Sequence, residues 1–144
     1  MGDVPREPAA PISLALLEPV EYAGGVLASL ELREPMVGEL YRAQSGAWIP
    51  EAITYRLLVA VSGLDAATVD RLGLRDFRRA GAALAGFYDG LPPAWSRDIA
   101  MLTRIYAWGP RTVFEMSISE FRWWQFETEV MILRQMPVAE RPVA

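Results

Sequence analysis

Apolar and polar side chains alternate along residues 28–33, with Ala28, Leu30 and Leu32 set against Ser29, Glu31 and Arg33, and the alternation ends at Pro35. A period of two places one set on a single face of a half-buried strand. Upstream, Ile12-Ser13-Leu14-Ala15-Leu16 carries the same pattern and Ala23-Gly24-Gly25 supplies a reversal, so an antiparallel hairpin is predicted. After Pro35 the spacing becomes helical. Helices are expected from about Met36 to Gln44, stopped by Ser45-Gly46, and from Pro50 onward with Ile53, Leu57, Leu58 and Val61 on one face. Asp65 is placed to cap a short helix presenting Val69 and Leu72. Leu74 to Tyr88 then carries Phe77, Ala80, Leu84 and Phe87 on one stripe, with Arg75, Arg78 and Arg79 assigned to a solvated face.

Asp89-Gly90-Leu91-Pro92-Pro93 breaks the helical pattern and marks a linker. Beyond it, Trp95, Ile99, Leu102 and Tyr106 describe another helix that ends near Trp108-Gly109-Pro110. Ser117-Ile118-Ser119-Glu120 has the form of a capping box, so a helix should begin at Ile118. Along that helix Ile118, Phe121 and Trp124 form one stripe, and Trp123, Phe126, Val130 and Leu133 form another. The fold class that results is α+β, mostly α: an N-terminal β-hairpin, a small helical bundle and a C-terminal helical extension. The implied division is a flexible tail at 1–11, a domain at 12–89, a linker at 90–93, the extension at 94–136 and a second flexible tail at 137–144.

Aromatic stripes at helical spacing ordinarily serve a core, but clusters at a chain end behind a linker also anchor partners. The stripe of Ile118, Phe121 and Trp124 is expected to dock on the domain, leaving the other to be covered by something else. Candidate partner-binding residues are Trp108, Pro110, Phe114, Phe121, Trp123, Trp124 and Phe126.

The 144 residues suit one domain with an appendage, and 52% hydrophobic residues against 22% charged argue against global disorder. A formal net charge of −4 disfavours a nucleic-acid surface. Cysteine and histidine are absent and all 14 basic residues are arginine. That removes thiolate, disulfide, zinc-finger, histidine-triad, Schiff-base and P-loop lysine chemistry. No run approaches the about 18 apolar residues that span a bilayer, and the N-terminus lacks a signal-peptide core, so a cytoplasmic protein is expected. Glu115, Glu120, Glu127 and Glu129 are the carboxylates open to acid–base work, but no motif fixes them at a reacting centre and exposed helical glutamates explain them better. No enzyme activity, catalytic residue, cofactor or metal site is expected.

Glu18-Pro19-Val20, Leu32-Arg33-Glu34-Pro35 and Val37-Gly38-Glu39-Leu40, followed by Ser62-Gly63-Leu64, Asp76-Phe77, Ala82-Ala83-Leu84 and Gly86-Phe87, resemble the tail assembly chaperones of Mu-like and related contractile-tailed phages. The likeness runs over about residues 12–88. A second one follows. Asp98-Ile99-Ala100, Trp108-Gly109-Pro110, Met116 through Phe121 and Trp124 are similar to the short tail proteins made as an extension of such chaperones, often by ribosomal frameshift. Those proteins usually have Trp-Pro-Pro at the hinge and Trp-Arg where this chain has Trp124-Gln125, which puts a charge contact after Trp124 in doubt.

The two resemblances, in this order, imply a long-form chaperone. It would bind and solubilise the tape measure protein in the host cytoplasm, recruit tail tube subunits through its extension and be absent from the mature virion. Self-association is left open. The competing reading is a small structural tail or baseplate component retained in the particle.

Overall fold

Strand β1 (Ile12–Tyr22) pairs antiparallel with β2 (Gly25–Leu32) in a two-stranded sheet, in a computed structural model that describes residues 4–142. Ile12 and Leu14 face Leu32 and Leu30 across the ladder, and with Leu16 they turn toward the core. Ala23 and Gly24 make the two-residue reversal with φ of 50° and 77°. Positive φ at both central positions matches the right-handed twist of the strands.

The ladder is interrupted between Ala15 and Val20, where β1 bulges. Past the bulge the twist changes which side chains face inward. Val20 and Leu27 are partly buried, whereas Ala28, expected on the buried face with Leu30 and Leu32, is exposed.

The helices follow as α1 (Val37–Gln44), α2 (Pro50–Val61), α3 (Ala66–Asp70), α4 (Leu74–Tyr88), α5 (Arg97–Tyr106), α6 (Pro110–Phe114) and α7 (Ile118–Gln135), with a 3-10 turn at Val138–Glu140. At the start of α1 the Glu39 carboxylate reaches back to accept the Met36 N–H at 2.9 Å. Arg33 grips the same carboxylate with both terminal nitrogens, at 2.7 and 2.8 Å, and donates to Ala60 O at 2.9 Å. One guanidinium thus joins the exit of β2, the first turn of α1 and a free carbonyl near the end of α2. Burial alone would raise the Glu39 pKa, but Arg33 and the Met36 amide hold it below the ordinary value.

The hairpin is fixed to α4 by a buried carboxylate. The Leu17 and Glu18 amides, freed by the bulge, donate to Asp76 Oδ1 and Oδ2 at 2.9 and 3.0 Å. Arg79 bridges Asp76 Oδ1 and Ala15 O, each at 2.8 Å. Of the three arginines assigned to a solvated face, Arg75 and Arg78 are exposed, and Arg79 is drawn in to hold the strand.

Leu30, Leu32, Val37, Leu40, Leu57, Leu58 and Leu84 share one hydrophobic cluster with Leu102, Val113, Ile118 and Phe121. Apolar residues from both sides of the Asp89–Pro93 turn therefore pack together. The expected tails at 1–11 and 137–144 fall partly on residues 1–3 and 143–144, which lie outside the described residues. Residues 4–11 pass close enough to the body for Ala9 N to donate to Glu34 at 3.0 Å.

Candidate partner-binding site

Residues 34–37 and 116–119 lie antiparallel. Val37 N donates to Met116 O at 2.9 Å and Ile118 N to Pro35 O at 3.3 Å, with Met36 and Ser117 opposite each other. The start of α7 is capped by Ser117, whose hydroxyl accepts the Glu120 N–H at 3.1 Å. The Glu120 side chain does not complete the expected box; it turns to Arg6 at 3.5 Å. The second cap comes instead from Glu34, buried in this junction, whose Oε1 accepts from the Ser119 N–H at 3.1 Å and hydroxyl at 2.6 Å. A carboxylate at a helix N-terminus satisfies orphan donors and opposes the helix dipole favourably. This clamp sets how α7 leaves the core and therefore where its aromatic residues stand.

Trp108, Trp124 and Tyr106 then converge. Tyr106 stacks on Trp108 with centroids 4.6 Å apart, and Trp124 meets both edge-on at 5.0 and 4.8 Å. Trp123 packs edge-on against Trp124 at 4.8 Å. Such geometries are the favourable ones for aromatic quadrupoles. The Tyr106 hydroxyl is fixed to Thr128 at 2.9 Å. The Arg6 guanidinium lies over Trp123 at 4.5 Å and Trp124 at 5.4 Å. Trp108, Trp123 and Trp124 all remain partly exposed.

Adjacent to this cluster, a groove of about 430 Å³ runs between α5 and α7, with Met101, Ile132 and Leu133 among its walls. Gln125 crosses to Asp98 at 2.6 Å and sets the helix separation there. The stripe of Trp123, Phe126, Val130 and Leu133 is half-buried along its length. A half-covered apolar groove beside fixed aromatic rings suits an amphipathic helix from a partner.

The other sequence candidates are placed elsewhere. Phe121 is 0% exposed and meets Trp95 edge-on at 5.8 Å, so its surface is used by the core. Phe114 lies against Tyr41 on α1 at 5.7 Å, and Gly38 permits that approach, since a Cβ there would sit 3.0 Å from the Phe114 Cβ. Pro110 is exposed at the first turn of α6. Phe126 stands half-buried on α7 without a ring partner among the described residues. Of the four glutamates open to acid–base chemistry, Glu115 is held by Arg111 at 2.7 Å and Glu120 faces Arg6. Among the described residues no three acidic side chains gather as metal ligands, and no helix is long and apolar enough to cross a membrane.

Two features escaped the sequence reading. Arg6 lies in a proline-rich segment with no periodicity to assign it a neighbour. Trp48, between Gly46 and Pro50, is 96% exposed; a large aromatic residue flanked by two helix breakers was the available signal.

A family model described as phage tail assembly chaperone proteins, E, or 41 or 14, matches residues 13–89. The match runs from β1 to the residue after α4 and ends before the aromatic cluster. No curated protein and no solved structure matches the chain.

Proposed function

The chain belongs to the phage tail assembly chaperone family, and we propose that it binds the tape measure protein, keeps that long helical chain soluble in the host cytoplasm, and recruits tail tube subunits through α5–α7. The observation that supports the second part is the joined surface of Trp108, Trp123 and Trp124 with the α5–α7 groove, which lies outside the matched residues. Recognition rests on apolar burial by large aromatic anchors, and the reading assigns the chain no catalytic group and no cofactor. In this account the protein leaves the particle before the tail is complete.

The test uses the full-length chain co-expressed with the tape measure and tube proteins of the same tail gene cluster. Wild type is expected to keep the tape measure soluble and to co-purify with both. A Trp108→Ala/Trp123→Ala variant should retain the tape measure and lose tube protein, with an affinity drop of about 1,000-fold for two anchors of about 2 kcal/mol each. Equal retention of both partners by the variant would remove the aromatic surface from the account. If wild type associates with neither protein and is found in purified particles, the chain is a structural tail component instead.

A further inference from the structure

The aromatic cluster already has an occupant from its own chain. The Arg6 guanidinium stands 4.5 Å from the centre of the Trp123 ring and 5.4 Å from that of Trp124. It also pairs with Glu120 at 3.5 Å. Three residues on, Ala9 N donates to Glu34 Oε2 at 3.0 Å, the carboxylate that caps α7 through its other oxygen. Residues 4–11 are thereby laid across the start of α7, with Arg6 on the rings.

The segment is shaped to lie there and is lightly held. Pro5, Pro8 and Pro11 restrict its backbone, so little conformational entropy is lost when it settles on the body. Yet Val4 is only half-buried and residues 5–11 are exposed throughout, so none of it enters the core. Its ion pair is half-exposed on the arginine side, and exposed ion pairs and cation–π contacts are both weak. A guanidinium over an indole takes the ring face that an apolar side chain of a partner would cover. Packing on Trp123 from that side therefore requires Arg6 to leave.

We propose that residues 4–11 form an autoinhibitory strap: Arg6 occupies the Trp123–Trp124 face in the free protein, and tube protein engages that face only once the strap has lifted. The proposal rests on the reading of Trp108, Trp123 and Trp124 as the tube-binding surface. The measured affinity is then the intrinsic one reduced by the fraction of molecules whose strap is open.

Titration of the full-length chain with tube protein of the same tail gene cluster provides the test. For an open fraction on the order of one in ten, Arg6→Ala is expected to tighten tube binding about 3- to 10-fold and to leave tape measure co-purification unchanged. Glu120→Gln, which removes the partner of Arg6, should tighten it by a smaller factor and add nothing to Arg6→Ala, because both act on one contact. Arg75→Ala makes the same change in net charge at an exposed position of α4 and should bind tube protein as wild type does. Without tube protein, the indole N–H resonance of Trp123 should move in Arg6→Ala and stay in place in Arg75→Ala. Equal tube binding by wild type and Arg6→Ala overturns the strap while leaving the surface reading intact. A gain that Arg75→Ala reproduces overturns it too, by assigning the effect to net charge, and so does a Trp123 resonance unmoved by Arg6→Ala. If neither wild type nor Arg6→Ala binds tube protein, the surface reading fails and the strap proposal falls with it.

Discussion

Replacing Asp76 with alanine is expected to destabilise the fold by about 3 kcal/mol and to loosen the hairpin before anything else. The carboxylate is 1% exposed and accepts from two backbone amides and one guanidinium. Removing it leaves the Leu17 and Glu18 N–H groups without their acceptor in the part-buried β1–α4 contact, at about 1–1.5 kcal/mol for each, the lower part of the range for an orphaned donor. Arg79 also loses the group that directs it to Ala15 O. Asp76→Asn should be nearly as harmful, because an amide offers one acceptor oxygen and turns its NH2 toward an N–H it cannot bond. Denaturant melts give the magnitude. Hydrogen exchange at Leu17 and Glu18 gives the location, since only these amides should lose most of their protection at mild denaturant.

The same carboxylate makes part of the stability depend on acid. Burial by itself would raise the Asp76 pKa, but the Leu17 and Glu18 amides and Arg79 outweigh it and hold the pKa below the ordinary value. A folded-state pKa below the unfolded one means that the unfolded chain takes up the proton first as pH falls. The stabilisation is therefore complete above the ordinary carboxylate pKa of about 3.9 and is lost as pH drops through the lower folded value. The stability difference between wild type and Asp76→Ala should accordingly be constant near neutrality and shrink below about pH 4. A difference that persists undiminished in acid would assign the effect to packing.

Local patterns were legible wherever the chemistry is local. The Leu74–Tyr88 helix, the Pro50 start of α2 and the Ser117 cap follow from periodicity and from residues whose partners lie within one turn. Five-residue α6 was not, because Pro110 signals a start but too few residues follow to show a period. The carboxylates that hold elements together were not either. Asp76 reads as a first-turn acidic residue and Glu34 as part of a strand end, and only the β1 bulge and the start of α7, brought in from 58 and 85 positions away, reveal what they bind. Of the aromatic candidates, spacing set Trp123 and Trp124 on different stripes of α7, and it could not separate Phe121, which is in the core, from Trp108, which stays partly exposed. That distinction depends on how α5 and α6 return past α7.

Truncation after Gly90 is expected to remove the cooperative fold altogether, although the sequence presents that position as a linker. Trp95, Ile99, Leu102, Val113, Met116, Ile118 and Phe121 belong to the same buried cluster as Val37, Leu40 and Leu84. Trp95 donates its indole N–H to Gln44 at 3.0 Å, and α6 packs on α1. Without these residues the face of α1 that meets α6 is bared, at about 1.5–3 kcal/mol for each large apolar side chain newly exposed. Domains of this size retain only about 5–15 kcal/mol in all, so a few such exposures are enough. The 1–90 fragment should therefore aggregate, or melt without a cooperative transition, where the full chain melts in one. Phe121→Ala supplies the graded version in the intact protein: a loss of about 3–5 kcal/mol from the cavity it leaves. If the hairpin and α7 lose exchange protection together in that variant, the extension is part of the folding unit. A 1–90 fragment that melts cooperatively at the full-length temperature would show the opposite, that α5–α7 only rest on a domain complete without them.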